Sequence, residues 1–271
     1  MTSSRSEAAP DSEEGVLLHL DDYSYLVPAA MEWARPMFQL ASEYLDLYDQ
    51  VTNRWRSSAG PASRTDANGL LLGLGDRSRE AMRSSQLLTG HGLYRDAVQV
   101  VRPMVEATIY AGYIYGDGAA EAAARAATFT AFQAVERKRN LEAIRGSGRL
   151  DDMQADIRSE IEREYTGVEA SYDGKIFSKS AFDCTFRELA ERADMLWLYR
   201  TAYNHASAFS HLTVGSLVSL PSSLHDLGLG IAVATFPVVF RIMNGHLGLG
   251  ADPHLKDLEL RTNAICTQTS P

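Results

Sequence analysis

The sequence predicts an all-α protein, a helical bundle of about seven or eight helices, and three features of the chain support this. Apolar side chains recur at helical spacing in most segments. The strict apolar–polar alternation of strands is absent from the sequence, as are internal repeats and heptads. Apolar residues make up 45% of the chain, which is ordinary for a globular protein and sufficient for a core.

The bundle is expected to surround a buried central helix at residues 94–115. Apolar side chains cover most of the circumference of its helical wheel, and a helix of this kind is normally buried. The charged and amide side chains fall on one narrow stripe that Tyr110 and Tyr113 continue: Arg95, Gln99, Arg102 and Glu106. Because buried charges need partners, this stripe predicts a polar seam inside the bundle.

The remaining elements are delimited by caps and helix breakers. Residues 1–14 are rich in Ser, Glu and Ala and are expected to be disordered, residues 15–250 to form a single helical-bundle domain, and residues 251–271 to form a polar tail. Residues 166–182 have no clear period and are expected to be the longest interior loop. The other helices are predicted at 28–55 with a kink near Pro36, 66–90 with Asp66 as the cap, 119–145, 149–165, 183–192 with Asp183 as the cap, 194–212 and 224–247.

The helix at 194–212 repeats the design of the central helix. On its wheel, the side chains within about 60° of Arg200 are polar, and His205 lies about 140° away on the apolar side. Those polar side chains are Tyr203, Asn204, Ser207 and His211. We expect the two stripes to face each other, so that the polar seam unites Arg102, Glu106, Tyr203, Ser207 and His211. The alternative is that each stripe faces water.

These two helices carry the patterns Arg-x3-Glu, at Arg102 and Glu106, and Tyr-x3-Ser-x3-His, at Tyr203, Ser207 and His211. Together they resemble an uncharacterised bacterial all-helical family over roughly residues 66–215. That family is similar to the HEPN superfamily, whose nucleases carry Arg-x(4–6)-His near the start of a late helix. Arg200 with His205 matches this pattern, and so does Arg241 with His246.

The resemblance implies a metal-independent endoribonuclease in a toxin or phage-defence role, with Arg200 and His205 catalytic. It also implies a homodimer, an RNA substrate and an antitoxin-like protein partner. The alternative prediction is a non-catalytic helical module whose polar seam is structural or binds a small ligand or a protein partner. The formal net charge of -9 argues against broad nonspecific binding to nucleic acid, which needs a basic surface.

Other kinds of site are not predicted. The chain lacks the Glu-x-x-His pairs of di-iron bundles and any histidine spacing typical of a metal site, so no cofactor or metal is expected. The Gly-rich residues 71–80 lack the Lys-Ser/Thr of a phosphate loop and are expected to form a helix contact or a kink. Cys184 and Cys266 are expected to be free thiols in a reducing compartment.

Because no signal peptide is evident and the apolar residues 227–240 are too few to span a bilayer, a cytoplasmic protein without a membrane partner is expected.

Overall fold

The computed structural model describes residues 34–150, 153–171, 180–210 and 227–268, and all regular secondary structure within these ranges is helical. The all-α prediction is therefore confirmed. The predicted disordered tail at 1–14 and His211 lie outside the described residues. The helices are α1 (Arg35–Ser58), α2 (Asp66–Gly90), α3 (Tyr94–Val100), α4 (Arg102–Tyr115), α5 (Ala119–Gly146), α6 (Ala155–Ser171), α7 (Phe186–Arg192), α8 (Leu196–Leu198), a π turn (Tyr199–Tyr203), α9 (Asn204–Ser210), α10 (Leu227–Leu247) and α11 (Asp252–Gln268).

The centre of the core is formed by α2, α4 and α10, which pack against one another. On α10, Phe236 and Phe240 are fully buried, and their ring centres lie 5.7 and 5.6 Å from that of Tyr48 on α1. Helix α4 also contacts α5, α7 and the π turn. The predicted central position of residues 102–115 is therefore confirmed, but α10 shares that position.

Two prolines begin helices instead of bending them. The single helix predicted at 94–115 is divided into α3 and α4 at Val101, because Pro103 lies in the first turn of α4 and lacks the N–H that would continue the ladder. Pro36 likewise lies in the first turn of α1, which begins at Arg35, so the kink predicted there is absent.

Several predicted boundaries are also wrong. The cap of α7 is Thr185, not Asp183, because Thr185 and Glu188 form a reciprocal capping box. Thr65, not Asp66, caps α2. Residues 166–171 belong to α6 instead of the predicted loop.

The predicted polar tail at 251–271 contains α11. This helix packs on α1 because Leu255 and Leu258 are buried in the core and the hydroxyls of Tyr44 and Thr262 hydrogen-bond at 3.0 Å. Arg261 also pairs with Glu43 of α1. The two buried leucines are one turn apart, a spacing that predicts a helix, but the segment was predicted to be a tail because most of its residues are polar.

Helix α10 has 21 residues and a mean hydropathy of 1.6 in its most apolar window, so it passes a test of length and composition for a membrane span. The sequence predicted a helix at 224–247 but counted only residues 227–240 as its apolar stretch, whereas the apolar window of the helix is 18 residues long. Inside the bundle, 67% of that window is buried, and core helices of soluble proteins pass the same test.

Two glycines allow α10 to approach its neighbours closely. A Cβ at Gly75 of α2 would overlap Met243 of α10 and Tyr48 of α1, so the Gly-rich residues 71–80 form the helix contact that the sequence predicted. A Cβ at Gly228 of α10 would lie 2.6 Å from the carbonyl carbon of Ala97, in the backbone of α3. Backbone cannot yield as a flexible side chain can, so Gly228 determines the spacing of α3 and α10.

We expect Gly228→Ala to lower the free energy of unfolding by about 1–3 kcal/mol, because the added methyl group must separate α10 from α3. Gly230→Ala is the matched control in the same helix, since nothing lies within 4 Å of its Cβ. The control should be neutral or should raise stability by up to ~1 kcal/mol through helix propensity. Urea denaturation measures both values, and equal effects would contradict the close approach.

Candidate functional site

The helix predicted at residues 194–212, which we call the late helix, changes its winding at the predicted site. Helices α8 and α9 are joined by the π turn, in which the amide of Asn204 donates to the carbonyl of Tyr199 five residues earlier. Such turns occur frequently at functional sites. Because a π turn contains more residues than an α turn, a wheel drawn at a uniform ~100° per residue does not hold through it.

The π turn redistributes the polar stripe predicted on residues 194–212. Tyr203 and Ser207 are half-buried, whereas Arg200 and Asn204 are exposed. His205 is also exposed, so its predicted place on the apolar side is wrong. The side chains that are buried from this segment are Leu198, Ala202 and Ala206.

Arg102 joins α4 to the π turn. Its Nε donates to Oε1 of Glu106 at 2.9 Å, and its Nη2 donates to the hydroxyl oxygen of Tyr203 at 3.2 Å. Its guanidinium carbon lies 5.3 Å from the centre of the Tyr203 ring, within the range of a cation–π contact. The two predicted stripes therefore meet at these three residues, which we call the Arg102 bridge.

The Arg102 bridge lies at the edge of the bundle instead of inside it. The side chains of Arg102 and Glu106 remain 28% and 34% exposed, which corrects the prediction of a buried seam. Burial by itself lowers the pKa of Arg102, but the hydrogen bond with Glu106 and the field of Tyr203 raise it overall. Ser207 makes no side-chain hydrogen bond with any described residue, and His211 lies outside the described residues, so the structure joins Arg102, Glu106 and Tyr203 of the predicted seam.

Aromatic rings continue from the Arg102 bridge into the bundle. The Tyr203 ring stacks on Tyr199 at 5.1 Å and meets Phe186 of α7 at 4.8 Å. Phe186 in turn lies 5.6 Å from Tyr110, whose pKa burial raises to about 12. The sequence pattern identified Tyr110 and Tyr203 but gave no reason to place Phe186 between them, because Phe186 belongs to a separate helix and α4 is distant from it in the chain.

The exposed side of α8, the π turn and α9 contains both residues of the predicted nuclease pair. We call it the Trp197 face, and it consists of Trp197, Arg200, Thr201, Asn204 and His205. Trp197 is 52% exposed, which is unusual for so large an apolar side chain. Arg200 makes no hydrogen bond or ion pair with any residue that the structure describes.

His205 has one ring nitrogen engaged and one available. Its Nδ1 hydrogen-bonds with the carbonyl oxygen of Thr201 one turn earlier. A carbonyl oxygen only accepts hydrogen bonds, so Nδ1 must carry the hydrogen. In the neutral ring, Nε2 then holds the lone pair and is able to accept a proton.

The second pair that matches the Arg-x4-His pattern is used in packing. Arg241 pairs with Glu259 of α11 at 2.5 Å. The ring of His246 lies 4.8 Å from that of Tyr115, and burial lowers the pKa of this histidine. Within the described ranges, no group of three or more His, Cys, Asp or Glu side chains is arranged to hold a metal ion.

The sequence of the chain matches a known protein family. The model of a family of unknown function, DUF5677, matches residues 68–224, which is more than half of the chain. The protein belongs to this family. Comparisons with curated proteins and with solved structures each find no match.

The match to DUF5677 confirms the prediction that the chain belongs to an uncharacterised family. The matched range includes the Arg102 bridge and the Trp197 face, and it extends past His211. Its limits are also close to the roughly 66–215 covered by the sequence resemblance.

Tyr203→Phe tests whether the Arg102 bridge couples the two helices of this DUF5677 protein. Loss of the hydroxyl should lower the free energy of unfolding by about 0.5–1.5 kcal/mol. Tyr199→Phe is the matched control, because its hydroxyl hydrogen-bonds with no described residue. In an Arg102→Met background, Tyr203→Phe should cost much less, since the donor is already gone. Equal costs in both backgrounds, measured by urea unfolding, would contradict the coupling.

Proposed function

We propose that this protein is a HEPN-like, metal-independent endoribonuclease with Arg200 and His205 as its catalytic residues. The observation that supports the proposal is that both side chains are exposed on the Trp197 face and that their reactive groups are available. Arg200 has no partner among the described residues, and Nε2 of His205 is able to accept a proton. Arg241 and His246 lack this availability, since each contacts another side chain.

The proposed reaction begins when Nε2 of His205 removes the proton of a ribose 2′-hydroxyl. The 2′-oxygen then forms a bond to the adjacent phosphorus, and the bond from phosphorus to the 5′-oxygen breaks. Arg200 stabilises the negative charge that builds up on the phosphate oxygens. A proton from a second histidine neutralises the departing 5′-oxygen, and the products are a 2′,3′-cyclic phosphate and a 5′-hydroxyl.

We propose that a second copy of the chain supplies this second histidine in a homodimer. Exposed tryptophan and arginine are typical of the residues that dominate protein interfaces, and the Trp197 face presents one of each. HEPN-like folds pair through their late helices, which is consistent with this face. The resemblance extends the proposal to a bacterial toxin or phage-defence role with an antitoxin-like partner.

Cleavage of a fluorescent single-stranded RNA in EDTA tests the catalytic assignment. We expect wild type to produce the 2′,3′-cyclic phosphate, and a substrate with 2′-deoxyribose at the cleaved position to be resistant. His205→Ala should reduce cleavage by about 100-fold or more, and Arg200→Ala by a comparable factor. His91→Ala and Arg187→Ala are matched controls at exposed positions of α2–α3 and α7, and they should leave the rate unchanged.

Undiminished cleavage by His205→Ala would overturn the catalytic assignment. Growth after induction provides a second test, since wild type should be toxic and His205→Ala should not be. Equal toxicity of the two proteins would remove the support for a nuclease toxin.

The homodimer has its own test. Light scattering at micromolar concentration should report a dimer for wild type. Trp197→Ser should shift the mass toward that of a monomer, whereas the exposed Leu260→Ser on α11 should not. A wild-type monomer would remove the two-histidine mechanism.

The second candidate function is a non-catalytic helical module, and the Arg102 bridge favours it. Arg102 donates from Nε to Glu106 and from Nη2 to Tyr203, so the bridge acts as a structural contact between α4 and the π turn. In that case the Trp197 face serves to bind a protein partner. Absence of any cleavage by wild-type protein that forms a stable dimer would support this candidate over the nuclease.

A further inference from the structure

A pocket of about 420 Å³ lies beside the first turn of α7, and none of its described lining residues belongs to the Trp197 face. Its size is within the range of pockets that bind small molecules. Helix α4 contributes Tyr110 to the lining, and the other aromatic, acidic and thiol side chains come from the residues that precede and begin α7. We call this cavity the Phe186 pocket. Its aromatic, acidic and thiol residues are Tyr110, Phe182, Phe186, Asp183, Cys184 and Glu188.

Three aromatic rings of the Phe186 pocket are held in place by neighbouring rings. Phe186 lies 5.6 Å from Tyr110 at an interplanar angle of 50° and contacts Tyr203 on its other side. Phe182 meets Tyr113 edge to face at 4.7 Å. These contacts fix the rings before any ligand binds, which lowers the entropic cost of binding.

Among the residues that the structure describes, the charge of the lining is negative. Asp183 and Glu188 are exposed carboxylates, and neither Lys nor Arg is among the described residues that line the pocket. The backbone amide of Thr185 hydrogen-bonds with Glu188 and holds its pKa below the usual value, so this carboxylate is ionised at neutral pH. Arg192 acts electrostatically on Cys184, but it is not one of the lining residues and it hydrogen-bonds with Tyr113.

The turn that carries Asp183 is closed and strained. Asp183 has φ of 51°, a left-handed conformation that is uncommon for residues other than glycine and that is often found at functional sites. Ser180 closes the turn, because its Oγ donates to the carbonyl of Cys184 at 2.7 Å and accepts from the amide of Cys184 at 3.0 Å. This turn therefore fixes the backbone of Asp183 beside the pocket.

We propose that the Phe186 pocket binds a small organic ammonium ion. Aromatic faces carry negative potential and attract a cation, and the nearby carboxylates add to that attraction. The same carboxylates repel anionic ligands, and a neutral ligand gains nothing from them. The proposal stands independently of ribonuclease activity, since none of the described residues that line the pocket belongs to the Trp197 face.

Binding of choline and of its uncharged isostere 3,3-dimethylbutan-1-ol, followed by ligand-observed NMR at constant ionic strength, tests this directly. The two probes have nearly the same shape and differ in charge. Choline should bind the full-length protein at least about tenfold more tightly than the alcohol. Equal affinities, or no saturable binding of choline, would overturn the proposal.

Two variants locate the binding. Phe186→Leu removes one aromatic face and should weaken choline binding at least about fivefold. Asp183→Asn removes one charge, tolerates the left-handed backbone and does not disturb the aromatic packing, so it remains informative if Phe186→Leu fails to fold. Asp257→Asn on α11 changes the net charge equally at an exposed position and should have no effect. Equal losses from Asp183→Asn and Asp257→Asn would assign the binding to net charge alone and would overturn the proposal.

Discussion

The close packing of α10 in the middle of the bundle is the constraint on which the remaining structure depends. Gly228 allows the backbone of α10 to approach that of α3, and Gly75 allows α2 to accommodate Met243 and Tyr48. These contacts bring α10 close to both α2 and α3. Because protein cores are closely packed, a change in the spacing of one pair of helices is transmitted to its neighbours.

The position of the Arg102 bridge follows from this packing. Because the apolar side of α4 faces α2 and α10, its polar stripe must face the opposite direction, toward α7 and the π turn. There the charges remain about a third exposed. An ion pair in such a position avoids most of the desolvation cost that full burial would impose, and it contributes correspondingly little on its own. Its importance is geometric, because it fixes the orientation of Tyr203 against α4.

The late helix consequently has two sides with different roles. Its inner side packs through Leu198, Ala202 and Ala206 and through the rings of Tyr199 and Tyr203. Its outer side presents the Trp197 face, whose side chains contribute little to the core. Exposed side chains without a packing role are candidates for binding and chemistry. The π turn makes this division possible, since it changes the winding where the two sides separate.

The sequence by itself determined the fold class, most helices, the contact of residues 94–115 with the late helix, and the pairing of Arg102 with Glu106. These depend on periodicity and on residues four apart, which are local properties of a helix. Tertiary structure decided the depth of the seam, the exposure of His205, the packing of α11 on α1 and the place of Phe186 beside Tyr110 and Tyr203. A uniform wheel cannot represent a π turn, and the burial of a stripe depends on segments far away in the chain. Local patterns therefore predicted which residues share a helix face, and only the packing of distant helices decided whether that face meets protein or water.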